Sequence, residues 1–211
     1  GLALLAHGLL LPFGFRRERV QPERRPDLRT LVFVHGLATN RSSFLALQAW
    51  LRLRGYTGRF AFGSPSFTSS LSFNYRSSGS LEGLALQLKR AIDEGIGGGR
   101  IDLVAHSMGG LVARFYLQQL GGARRVDRLI TLGTPHQGTH AANFVPAALV
   151  RQLLPDSPFL RRLNALPAPE GVQVTTIVAG RDLLIQPVEA ACCPFGESVR
   201  FEDFGHVELL F

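Results

Sequence analysis

The sequence predicts a single α/β domain built on a mostly parallel sheet of about six strands flanked by helices. Three observations carry this expectation. Short apolar or β-branched runs alternate with amphipathic segments of ten or more residues, and parallel neighbours need crossovers of that length. One run, Ile101 to Ala105, stops at a serine set between small residues and passes straight into a helical pattern. The 211 residues suit one core, and 45% hydrophobic with 18% charged residues is ordinary globular usage, so no second domain is needed.

The elements follow in order. Residues 1–29 form an apolar segment and a charged linker, and residues 30–211 the folded domain. Leu2 to Phe13 is apolar enough for a signal or membrane segment but too short to span a bilayer. Because the chain starts at Gly1 rather than methionine, it reads as a piece of a longer hydrophobic N-terminus or as a segment packed on the domain. Thr30 to Val34 is the first buried strand and leads into His35-Gly36-Leu37. A helix is expected from Ser43 to Arg54, capped by Ser42 or Ser43 and ended by Gly55, with Phe44, Leu47, Trp50 and Leu51 on one face. Residues 56–62 read as the second strand. Gly63 to Ser80 reads as a serine-rich connection that exposes Phe67, Phe73 and Tyr75, either as a substrate-facing rim or simply as a long loop.

Leu81, Leu84, Ala85, Leu88, Ala91 and Ile92 keep helical spacing, and glycines at 95 and 97–99 end that helix. The strand Ile101 to Ala105 and a helix from Met108 to Leu120 come next, then a strand from Val126 to Leu132. A helical insertion follows as two pieces, Phe144 to Leu154 and Pro158 to Leu166. Val174 to Ala179 and Val199 to Phe204 complete six strands. The stretch after His206 is short, which leaves one sheet face for the N-terminal apolar segment to cover.

The formal net charge of +7 is almost wholly arginine, Lys89 being the only lysine. The arginines are scattered and do not alternate with aromatics as a nucleic-acid groove would require, so no nucleic-acid partner is expected. Weak attraction to anionic lipid is a secondary expectation. Cys192 and Cys193 are adjacent and could close only a strained ring, so they read as two free thiols or one intermolecular bridge. They offer no metal spacing, and neither a metal nor a cofactor is expected.

The chemistry starts at Ala105-His106-Ser107-Met108-Gly109. A serine on a tight strand-to-helix turn is a nucleophile elbow, and its neighbours two positions away must be small, as Ala105 and Gly109 are. A serine hydroxyl needs a base, and the base works best with a carboxylate fixing its tautomer. Asp182 lies just past the strand Val174 to Ala179 and His206 just past the last strand, both at the carboxyl edge where ligands bind in open sheets. Glu189, Glu202, Asp203 and Asp156 are the competing acids. His106 should point away from the serine Oγ as a buried ring, His35 should shape the loop after the first strand, and His136 and His140 are poor candidates for the base. Donors for a developing oxyanion are expected from the backbone N–H of Met108 and of Leu37.

Four separated motifs then resemble bacterial triacylglycerol lipases of the α/β-hydrolase superfamily, especially the small class 2-like lipases. These are Val32-Phe33-Val34-His35-Gly36, Ala105 to Gly110, Thr131-Leu132-Gly133-Thr134-Pro135-His136-Gln137-Gly138-Thr139 and Phe204-Gly205-His206, with Leu111-Val112-Ala113-Arg114 after the elbow. The resemblance implies a compact α/β-hydrolase fold and a cofactor-free carboxylic ester hydrolase. It supports Ser107, Asp182 and His206 as the triad, and hydrophobic anchors in some relatives would suit residues 2–13.

The expected substrate is a lipid or other apolar ester, with Phe67, Phe73, Leu149 and Leu153 as acyl-chain wall. A monomer is expected, secreted or held at the cell envelope and in contact with a membrane surface. An acyltransferase or thioesterase on the same triad is the enzymatic alternative, and an inactive hydrolase-like binding protein the alternative from another class.

Overall fold

A computed structural model describes residues 29–54, 56, 67–73, 79–96 and 99–211, with only the backbone described for 67–72. The expectations for the N-terminal segment and its charged linker, for Gly55, for most of the strand at 56–62 and for Tyr75 lie outside these residues.

Among the described residues six strands form one sheet: β1 (Arg29–Val34), β2 (Phe67–Phe73), β3 (Ile101–His106), β4 (Val126–Leu132), β5 (Gln173–Ala179) and β6 (Glu197–Phe201). They lie in the order β2-β1-β3-β4-β5-β6, and every adjacent pair is parallel. The crossovers carry helices α1 (Leu45–Leu53), α2 (Leu81–Ile96), α3 (Met108–Gln119), α4 (Ala148–Arg151) and α5 (Pro158–Asn164).

Strand alternation sorts the core into two layers. Val32, Val34, Leu103, Ala105, Leu129 and Val174 pack toward α2, α3 and α5. Helix α2 presents the stripe Leu81, Leu84, Ala85, Leu88 and Ile92, all fully buried, and each buried leucine contributes about 1.5–3 kcal/mol. On the other face, Leu31, Phe33, Val104 and Leu132 pack with Phe44 and Leu210.

Four elements differ from the sequence reading. Phe67–Phe73, which the sequence read as part of a loop, is a strand that runs beside Arg29–Val34 at the edge of the sheet among the described residues. Its serines suggested a loop, yet pairing with β1 satisfies the backbone, and an edge strand tolerates such polarity. The expected cap at Ser42 or Ser43 is displaced by a 3₁₀ turn over Arg41–Phe44, in which Asn40 Oδ1 accepts the backbone N–H and the hydroxyl of Ser42. The first insertion helix is only α4, preceded by a 3₁₀ turn over His140–Phe144. The last strand starts two residues early and ends at Phe201, so a turn of four residues separates it from His206.

Candidate active site

Strand β3 ends at His106 and α3 begins at Met108, so Ser107 is the whole turn between them. Its φ of 54° and ψ of −130° are sparsely populated for a residue with a side chain and cost on the order of 1–3 kcal/mol. The surroundings hold it there. Ser107 N–H donates to Leu132 O at 2.8 Å, and its carbonyl accepts from the Thr134 hydroxyl at 2.9 Å. A Cβ on Gly109 would lie 2.4 Å from His35 O and 2.5 Å from Val34 O, so only glycine lets α3 start this close to β1. The small residue after the serine is therefore a packing requirement.

Asp182 and His206 come from the loops after β5 and β6 at the same carboxyl edge. His206 Nδ1 donates to Asp182 Oδ2 at 2.7 Å, and both side chains are buried. The other carboxylate oxygen, Asp182 Oδ1, accepts from the backbone N–H groups of Leu184 at 2.8 Å and Ile185 at 2.9 Å. With both oxygens engaged, the carboxylate is fixed in one orientation. Gly133, at φ 52°, lets β4 turn beneath this pair, since a Cβ there would meet His206 Nδ1 at 3.1 Å and Asp182 Oδ2 at 3.4 Å. Among the competing acids, Glu189, Glu202 and Asp203 sit in exposed ion pairs with arginines.

Ser107 and His206 both border a cavity of about 250 Å³. Gly36 and Leu37 from the loop after β1 form one side of it. His35, fully buried, steadies that loop by donating from Nδ1 to Gly36 O at 2.9 Å. Met108 occupies the first position of α3, where backbone N–H groups have no acceptor within the helix and are free for an anionic group. The remaining wall is apolar, with Ala142, Val145, Val150, Leu153, Leu184 and Ile185 prominent.

The proposed acyl-wall residues divide. Leu153 lines the cavity; Leu149 instead packs into the core, and its neighbour Val150 faces the cavity. A one-residue step on a short helix turns a side chain by about 100°, which decides between the two. Phe73 is buried in the core with the α2 leucines, and Phe67 pairs opposite Arg29 at the amino end of the sheet, far from the edge that holds Ser107. Because 67–73 is a strand where the sequence read a loop, Phe73 packs in the core instead of forming a rim.

The sequence reading did not single out Thr134, Leu184 or Ile185 for the site. Their signal was position, because each follows within a few residues of a strand's carboxyl end. His106 is buried, as expected, yet it borders the cavity and packs against His206 with ring centroids 4.7 Å apart. Cys192 and Cys193 are free thiols.

The sequence model of the α/β hydrolase family matches residues 31–204, most of the chain. The chain belongs to that family. Solved structures agree on the fold of this α/β hydrolase. The mature lipase BlEst2 of Bacillus licheniformis superposes with a TM-score of 0.68 at 18% identity, over 93% of this chain and 91% of that one. The lipase B of Aspergillus fumigatus gives 0.67 at 14% identity, over 91% of this chain and 52% of its own. A monoacylglycerol lipase of Paleococcus ferrophilus gives 0.58 at 15% identity, over 84% and 85%. At these identities the likeness to the three lipases is one of fold.

Proposed function

We propose that this α/β hydrolase is a serine ester hydrolase that cleaves lipid-like acyl esters through an acyl-enzyme on Ser107. The observation that carries the reading is the buried 2.7 Å bond from His206 to Asp182 beside a strained serine on one apolar cavity. His206 takes the Ser107 proton through Nε2 as Oγ attacks the ester carbonyl. Asp182 holds Nδ1–H and stabilises the imidazolium that forms. The backbone N–H groups of Met108 and Leu37 bind the oxyanion. As the tetrahedral species collapses, His206 gives the proton to the leaving alcohol. A water activated by the same ring then releases the acid and restores Ser107.

The apolar wall supports an acyl substrate. Each methylene transferred from water contributes up to ~0.8 kcal/mol, so chains of roughly C4 to C10 should exceed acetate in kcat/KM. The mouth supports work at a lipid surface: Phe144 and Leu183 stand 87% and 83% exposed beside the cavity residues Val145 and Leu184. Exposed apolar clusters of this kind mark binding sites. Among the described residues no helix is long and apolar enough to cross a membrane. Residence outside the cell or at its envelope is proposed on the exposed apolar mouth.

The test is fluorophosphonate labelling combined with p-nitrophenyl ester turnover. Ser107→Ala should lose both while keeping the wild-type circular dichroism. Retained turnover in a contamination-free preparation would refute the nucleophile assignment, and an acetate preference would refute the acyl wall.

A further inference from the structure

His106 touches both halves of the site without being needed for any proton transfer described above. On one side its Nε2 donates to the backbone carbonyl of His206 at 3.2 Å, and its ring packs on the His206 ring at 4.7 Å and 55°. On the other it abuts the loop after β1, since a Cβ added to Gly36 would come within 3.2 Å of His106 Nδ1 and 3.0 Å of Ser107 Cβ. His106 is 3% exposed, and its backbone is the last residue of β3, the strand that carries Ser107.

We infer that His106 is a positioning residue that braces the base against the nucleophile strand and the oxyanion loop. The inference rests on the serine-hydrolase reading above. His206 stands on a turn beyond the short edge strand β6, whose side chains are all exposed, so the sheet core does little to hold it. Asp182 fixes the His206 side chain through Nδ1, and His106 fixes its main chain through the carbonyl. The two bonds together define where Nε2 of His206 points. Because a carbonyl accepts, His106 must carry its proton on Nε2. A base misplaced by about 1 Å loses on the order of 10²-fold in rate, so loss of the brace should register in chemistry more than in binding.

The experiment compares His106→Phe, which keeps an aromatic ring and removes the donor, with His106→Gln, whose terminal amide carries an N–H at similar reach. Butyrate ester kinetics, the low-field proton resonance of the His206–Asp182 bond and thermal unfolding are measured on each. His106→Phe should lose about 10–100-fold in kcat with KM within a factor of three, and its low-field resonance should shift or broaden. His106→Gln should recover most of the rate. Wild-type kcat in His106→Phe, or equal losses in both variants at matched folding, would overturn the brace. Fluorophosphonate labelling of wild-type Ser107 separates the outcomes: if wild type does not label, the serine-hydrolase reading has failed, whereas a labelled wild type with an unaffected Phe variant refutes the brace alone.

Discussion

Two histidines of this domain each bond to a charged neighbour, and the sign of that neighbour separates what the rings can do. His206 borders a cavity and donates to the carboxylate of Asp182, which stabilises an imidazolium when the ring takes a proton. His136 is sealed beside α3, where Arg114 Nη1 donates to its Nδ1 at 3.3 Å. Its Nε2–H is then left to donate to Thr131 Oγ1 at 3.0 Å, and Thr131 donates onward to Thr176 at 3.2 Å. Burial, and next the Arg114 charge, hold His136 well below the usual imidazole range. One ring faces an anion at a cavity, and the other faces a cation in a sealed site. A histidine near an active site is thus informative only together with its partner.

The largest expected effect tests the first ring. Asp182→Asn leaves the cavity shape unchanged but removes the charge that supports a protonated His206 and favours the wrong tautomer. A comparable change in a serine protease triad costs about 10⁴ in kcat. We expect a loss of that order in ester turnover, with unfolding close to wild type and Glu202→Gln nearly silent. Near-wild-type turnover in Asp182→Asn would erase the contrast between the two histidines.

The second test strikes the sealed ring. His136→Leu strands the Arg114 guanidinium, whose other contacts are the Asn164 amide oxygen at 3.0 Å, the Gln118 amide oxygen at 3.3 Å and the Phe195 ring at 5.0 Å. Arg114 Nη2 already has no hydrogen-bond partner among the described residues. Leaving a buried donor unsatisfied costs about 1–3 kcal/mol, more for a charged group. A loss of about 3 kcal/mol lowers Tm by roughly 6–12 °C for a chain of this size. Calorimetry should show that fall while kcat below the transition changes by less than about tenfold. A large kcat loss with unchanged Tm would move His136 into the reacting machinery.

The contrast also explains which parts were legible in the sequence. The elbow was readable because its demand is local: Ala105, Ser107 and Gly109 satisfy a steric rule within five residues. The positions of Asp182 and His206 followed from strand order, since parallel strands bring successive loops to one edge. The second strand was not readable, because a serine-rich edge strand is chosen by its pairing partner rather than by its own apolar pattern. Reading that stretch as a loop also misplaced Phe67 and Phe73. The Arg114 network was equally hidden, as no rule ties an arginine in the second position after a leucine-valine pair to a histidine 22 residues on. Which side of α4 meets the cavity depended on a helix only four residues long, too short for periodicity to orient.

The smallest expected effect is a slope of stability with pH. The unfolded chain protonates His136 near its ordinary value of 6.5, while the folded chain resists until well below that. Between those two values the unfolded state binds more protons, so stability rises with pH there and levels off above about 6.5. Lowering the pH through this window should therefore cost up to ~1.4 kcal/mol per unit for this one group. Asp102, whose carboxyl is pushed up by burial, acts in the opposite sense nearer pH 4, which argues for a difference measurement. His136→Gln retains an amide N–H toward Thr131 and an oxygen able to accept, but binds no proton. Urea unfolding of both proteins at pH 7.0, 6.5, 6.0 and 5.5 should show the stability difference shifting in favour of the glutamine variant as pH falls below 6.5. A difference that stays constant across the series would mean that Arg114 and burial do not keep His136 neutral, and the opposition between the two rings would collapse to a difference in exposure.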